Sequence, residues 1–120
     1  MSQLADLSLE TRGDVQLARI EGEVDLSNAT EIGDRVLEAT SNDVGTVILD
    51  LSDTSYLDSA GLRLILDLRL RLEHRRQRLR IVAPAETFVA DVLNITAIED
   101  SVPIDRSLAD ALEAAAGSGS

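Results

Sequence analysis

Three aspartates precede one serine in the stretch LDLSDTSYLDSAGL (49–62): Asp50, Asp53 and Asp58, with Ser59 directly after the last. A fourth, Asp25, closes the segment GEVD (22–25). Clustered carboxylates can hold a hard divalent cation and support metal-assisted hydrolysis, with Asp25, Asp50 and Asp58 as its ligands. A serine in such a place can be a nucleophile, a helix cap, or the acceptor of a phosphoryl group. The metal reading is weakened by the absence of lysine: all 11 basic residues are arginine, so no P-loop or Schiff-base lysine exists. Asp50 and Asp53 follow an apolar run, where aspartate makes turns through Asx hydrogen bonds without any ion. The nucleophile reading fails on its partners. Ser59 lacks a Gly-x-Ser-x-Gly setting, and the single histidine, His74, lies fifteen residues along the same predicted helix, about 20 Å away by helical rise. No catalytic residue, metal or cofactor is therefore assigned, and an enzyme is not expected. The cap and the phosphoryl acceptor remain open for Ser59.

The elements that must position this serine fit one domain. A chain of 120 residues with 44% hydrophobic and 28% charged residues can bury a core unaided. With 2% aromatic residues, that core must be built from Leu, Val, Ile and Ala. There is no cysteine, which excludes disulfides and thiolate sites. The opening MSQLADLSLETRGD has neither the basic nor the apolar region of a signal peptide, and no apolar run approaches a membrane span. The expected location is cytoplasmic, without a membrane partner. A net charge of −11 argues against nucleic acid. Six arginines between Arg69 and Arg80 are read as complementing a helix C-terminus, with contact to an acidic partner as the alternative.

Segments 4–10 and 15–20, divided by TRGD with Gly13, read as a hairpin. A helix follows, with Asp25 or Ser27 as cap and Ala29, Ile32, Val36 and Ala39 at helical spacing. The apolar run 45–51 reads as a strand buried on both faces. Residues 59–73 alternate like a strand, but their length and Leu/Arg content favour a helix with a polar stripe of Arg63, Asp67 and Arg71. Its apolar residues span about two-thirds of the circumference, more than a surface helix needs. Either the fold buries this helix deeply, or a partner docks near Leu64 and Leu68. A strand at 79–83, a helix from Pro84 to a C-cap at Asn94, an edge strand within 101–106 and a helix opened by Ser107 and Asp110 complete the order. The result is an α/β fold: one domain over 1–113, a mixed, mostly parallel sheet with an N-terminal hairpin, about four helices, and a flexible tail at 114–120. The acidic segments collect at the carboxyl ends of strands, so Asp25, Asp50, Asp53 and Asp58 are expected near one another.

VILDLSDTSYLDSAGLRLIL (47–66) resembles the signature of STAS-domain anti-sigma factor antagonists: a strand ending Asp-Leu-Ser, a short link, then Asp-Ser-Ser/Ala-Gly-Leu. GEVDLSNA (22–29) resembles the family's segment before its first helix, and the likeness runs from about Leu4 to Leu112. The resemblance implies a STAS-like domain, a phospho-acceptor at Ser59 and a nearby aspartate at Asp25. It further implies a partner surface formed by Asp25 and the run Asp58, Ser59, Ala60, Gly61, Leu62, Arg63 and Leu64. The implied partners are an anti-sigma factor with serine kinase activity, bound by the unmodified form so that a sigma factor is freed, and a serine phosphatase that reverses the modification. An adaptor subunit of a stressosome-like or lipid-transport complex is the alternative within the family. Two positions depart from its pattern: Asp53, where many relatives have glycine, and Ala60 in place of a second serine.

Overall fold

A computed structural model describes residues 5–118. Leu4, at the start of the expected first strand, and residues 119–120 of the expected tail lie outside them. Strands β1 (Ala5–Arg12) and β2 (Val15–Val24) form the expected antiparallel hairpin. Its turn uses Gly13 at φ +55°, where a side chain would be strained. Then come α1 (Ala29–Ala39), β3 (Thr46–Asp50), β4 (Thr54–Leu57) and α2 (Ser59–His74). The chain ends with β5 (Arg78–Val82), α3 (Phe88–Ile95), β6 (Ile104–Asp105) and α4 (Leu108–Ser118). The sheet runs β1-β2-β3-β5-β6, with β4 also on β2, and every pairing except β1–β2 is parallel. The four helices, the hairpin and the mostly parallel sheet are those expected.

Strand alternation sorts the core into two layers. Ala18 and Ile20 of β2, Val47 and Leu49 of β3, and Leu79 and Ile81 of β5 face α1, α2 and α3. Val15, Leu17, Ile48 and Val82, at the intervening positions, face α4 through Ala111 and Ala115. Asp110 N donates to Ser107 Oγ at 3.1 Å, the contact expected at the start of α4. The expected domain edge at residue 113 falls inside α4, because Ala115 lies one turn beyond Ala111 and is buried with it.

Three local readings need correction. Strand β4 falls in what the sequence presents as an acidic loop. Strand β2 is ten residues long, and β3 occupies only its first half. After a turn at 51–53 the chain returns to pair with the second half, through a register shift at Gly22/Glu23. Gly22, at φ +114°, donates its N–H to Asp53 O (3.1 Å), and Thr54 Oγ1 donates to Ile20 O (2.7 Å). Second, α1 is flanked by Asn28, not capped by Asp25 or Ser27, and the Asn28 side chain accepts from Asp25 N (3.0 Å) without bonding the helix. Third, α3 starts at Phe88, not Pro84, and its C-cap is Thr96 instead of Asn94. Glu86 has φ +66°, which breaks helical geometry, and Thr87 Oγ1 provides the cap by accepting from Ala90 N at 3.1 Å.

Candidate functional site

Helix α2 opens at the carboxyl edge of the sheet, and two residues fix how it does so. Asp58 has extended backbone (φ −105°, ψ −168°), and its Oδ1 accepts from Ala60 N (2.9 Å) and Gly61 N (3.2 Å). It satisfies two of the helix's orphan donors and places a negative charge at the positive end of the helix dipole. The N-cap is thus Asp58. Ser59, for which the sequence leaves a capping role open, is the first helical residue.

Gly61 fixes the second constraint. A Cβ there would collide with the Leu57 side chain and sit 3.3 Å from Val24 Cγ1. Its absence lets the first turn of α2 lie directly on the ends of β2 and β4. Asp58 N donates to Val24 O at 3.3 Å, closing this corner.

Relieved of capping, Ser59 is exposed and its Oγ makes no hydrogen bond among the described residues. It lies on the rim of a groove of about 440 Å³ between α1 and α2. One wall comes from Leu26, Thr30 and Asp34; the other from Asp58, Ser59, Ala60, Arg63 and Asp67. The helices approach closely over Gly33, where a Cβ would be 2.6 Å from Leu64 Cδ1. Arg71 spans the far end, 3.4 Å from Asp34 and 3.6 Å from Asp67.

The expected site residues divide in three. Asp58, Ser59, Ala60, Arg63 and Leu64 line the groove, although Leu64 is only 7% exposed. Gly61 and Leu62 lie outside it, Gly61 packed on Leu57 and Leu62 against the core. Asp25 does not line it either. Its Oδ1 accepts from Ser27 N (2.8 Å) and Ser27 Oγ (2.6 Å), and its carbonyl accepts from Ala29 N, so it shapes the loop that carries Leu26.

The expected convergence of Asp25, Asp50, Asp53 and Asp58 does not occur. Asp50 shares strand parity with Ile48 and therefore points to the α4 face, away from α2. It is 2% exposed, pairs with Arg19 at 3.3 Å, and accepts from Ser52 N (3.0 Å) and Ser52 Oγ (2.6 Å). This is the turn-forming role that its place after a strand implies. No cluster of three or more potential metal-ligating side chains occurs among the described residues.

The choice left open for the apolar face of α2 is also resolved. Leu64 and Leu68 are buried under α1, and the leucines turned outward are Leu66 and Leu70, 37% and 52% exposed. Two features escaped the sequence reading. One is the α1 wall of the groove, signalled only by a glycine at a buried helical position and by Leu26 in a polar loop, 84% exposed. The other is the stacking of Tyr56 on Phe88, with ring centroids 5.7 Å apart, for which no sequence pattern exists.

The family model described as the STAS domain matches residues 6–111. Among solved structures, the chain is similar to an anti-sigma factor antagonist from Mycobacterium paratuberculosis, at 21% identity over 92% of this chain and 93% of that one, with a TM-score of 0.82. It is similar to the antagonist SpoIIAA in its unphosphorylated form, at 22% identity over 93% and 97%, TM-score 0.74. The murine anion transporter Slc26a9 contains a similar module: 18% identity over 87% of this chain but 18% of that one, TM-score 0.74. At these identities the likeness is one of fold.

Proposed function

The chain belongs to the STAS-domain family, and from that premise we propose that it is an anti-sigma factor antagonist switched by a phosphoryl group on Ser59. In this reading the unmodified protein binds an anti-sigma factor that is also a serine kinase, and a sigma factor is released. The kinase transfers a phosphoryl group from a nucleoside triphosphate to Ser59 Oγ, whose proton leaves to the kinase's base. A serine phosphatase restores the hydroxyl with water. The protein is the substrate of both enzymes and catalyses neither step. It works in the cytoplasm; among the described residues no helix is long and apolar enough to cross a membrane.

One observation supports this most: Ser59 stands exposed at the mouth of α2 with an unbonded hydroxyl, while Asp58 caps the helix. A group without structural duty can be modified without loss of the fold. Phosphorylation adds about −1.5 to −2 charges, which a helix N-terminus tolerates. Asp34, Asp58 and Asp67 already line the same groove. A partner fitted to a neutral hydroxyl would then face concentrated like charge or bury an unpaired anion, which costs several kcal/mol. About 2.8 kcal/mol is a hundredfold in affinity.

The fold shared with a module of a murine anion transporter favours a second reading, an adaptor within a larger assembly such as a stressosome-like or lipid-transport complex. A pull-down from the source cell's lysate, with wild type, Ser59→Ala and Ser59→Asp as baits, separates the two. An ATP-binding serine kinase held by wild type and Ser59→Ala but lost from Ser59→Asp is the expected result. A membrane or multi-subunit complex held equally by all three would replace the switch with the adaptor.

A further inference from the structure

We infer that Arg63 is the built-in counter-charge of phosphorylated Ser59, holding the phosphoryl group over the α1–α2 groove. The inference rests on reading Ser59 as a phospho-acceptor and adds a residue to that site. Arg63 lies four residues after Ser59 on α2, so the two share a helix face and the same groove. Helical side chains lean toward the N-terminus, which aims the long Arg63 arm back at the first turn. An acid one turn N-terminal to a base is also the favourable orientation for an i,i+4 pair.

The groove's other charges are already engaged. Arg71 lies within ion-pair distance of both Asp34 and Asp67. The Asp58 carboxylate is bonded to Ala60 N and Gly61 N. Arg63 is exposed and makes no hydrogen bond or ion pair among the described residues. It is thus the one cation of the groove without a partner there, and it stands where a dianion would be added. A guanidinium presents a planar fork of donors suited to phosphate oxygens. In the phosphorylated state this pair draws the phosphoryl group along the groove toward α1 and keeps it from swinging into solvent, so the added charge occupies the partner's surface.

The test is a 31P NMR pH titration of the full chain with phosphoserine encoded at position 59, which requires no kinase. The second ionisation of phosphoserine is ordinarily near 6. Asp34, Asp58 and Asp67 push it up, while the helix N-terminus, Arg63 and Arg71 pull it down. Arg63→Gln is expected to raise the midpoint by roughly half a pH unit, the size of one near-surface charge interaction. Arg71→Gln is expected to move it far less, and Arg63→Lys to keep most of the wild-type value. Both arginines are exposed, and thermal melts check that the variants fold. A midpoint unmoved by Arg63→Gln, or moved equally by Arg71→Gln, overturns the inference. The switch itself fails separately, if protein isolated from the source cell carries its phosphate at another residue.

Discussion

At the scale of single residues, two neighbours with overlapping talents divide the work. Asp58 and Ser59 are both good N-cap types, and only backbone geometry decides between them: Asp58 is extended, Ser59 already helical. Asp58→Ala should therefore cost about 1 kcal/mol in urea unfolding, the usual worth of a cap, and Asp58→Asn much less. Ser59→Ala should stay within about 0.5 kcal/mol of wild type, as for a surface change that removes no bond. A larger loss for Ser59→Ala than for Asp58→Ala would return the cap to the serine. Gly61→Ala gains helix propensity of about 1 kcal/mol but drives a methyl into Leu57, an overpacking worth about 1–3 kcal/mol. A net destabilisation is expected from its melting curve. The residue types at this corner were legible in the sequence. Their division of labour was not, because adjacent residues compete for one backbone conformation.

Among elements, α2 shows what periodicity can and cannot say. The helix, its span and its polar stripe of Arg63, Asp67 and Arg71 follow from pattern, and these three are exposed as expected. Which part of an over-wide apolar arc is buried depends on the neighbour, and the neighbour is α1. Leu64→Glu should then destabilise by several kcal/mol, since it buries a carboxylate under α1 without a partner. Leu70→Glu, at a position 52% exposed, should change stability by less than about 0.5 kcal/mol. Chemical denaturation of the pair checks both, and similar losses would mean the burial is misplaced. At its other end the helix is tied to α1 by Arg75, which donates to Thr40 O and Asn42 Oδ1 at 2.8 and 2.9 Å. Strand β4 and the capping of α3 escaped the sequence for a different reason. Four residues are too short for periodicity, and their place is set by the half of β2 that β3 leaves open along that edge.

For the whole molecule, strand parity decides where the carboxylates go. Being at the carboxyl edge was legible from the order of elements. Being on one face of that edge was not, and Asp50 is turned to the α4 side with Arg19. A divalent cation titrated into the protein should accordingly give no stoichiometric heat that Asp50→Asn abolishes. What remains at the α2 mouth is a serine that the fold does not need, on a groove already lined by Asp34, Asp58 and Asp67. The modified protein should keep its core, its sheet and its melting temperature to within a few degrees, and change only its partner surface.

The most direct measurement is calorimetric binding of the captured kinase partner to two forms of the chain, unmodified and with phosphoserine encoded at position 59, beside their melting curves. A loss of affinity of about a hundredfold or more with superimposable melts is the expected result. Equal affinity of the two forms, or a loss that comes only with unfolding, would contradict a switch at Ser59.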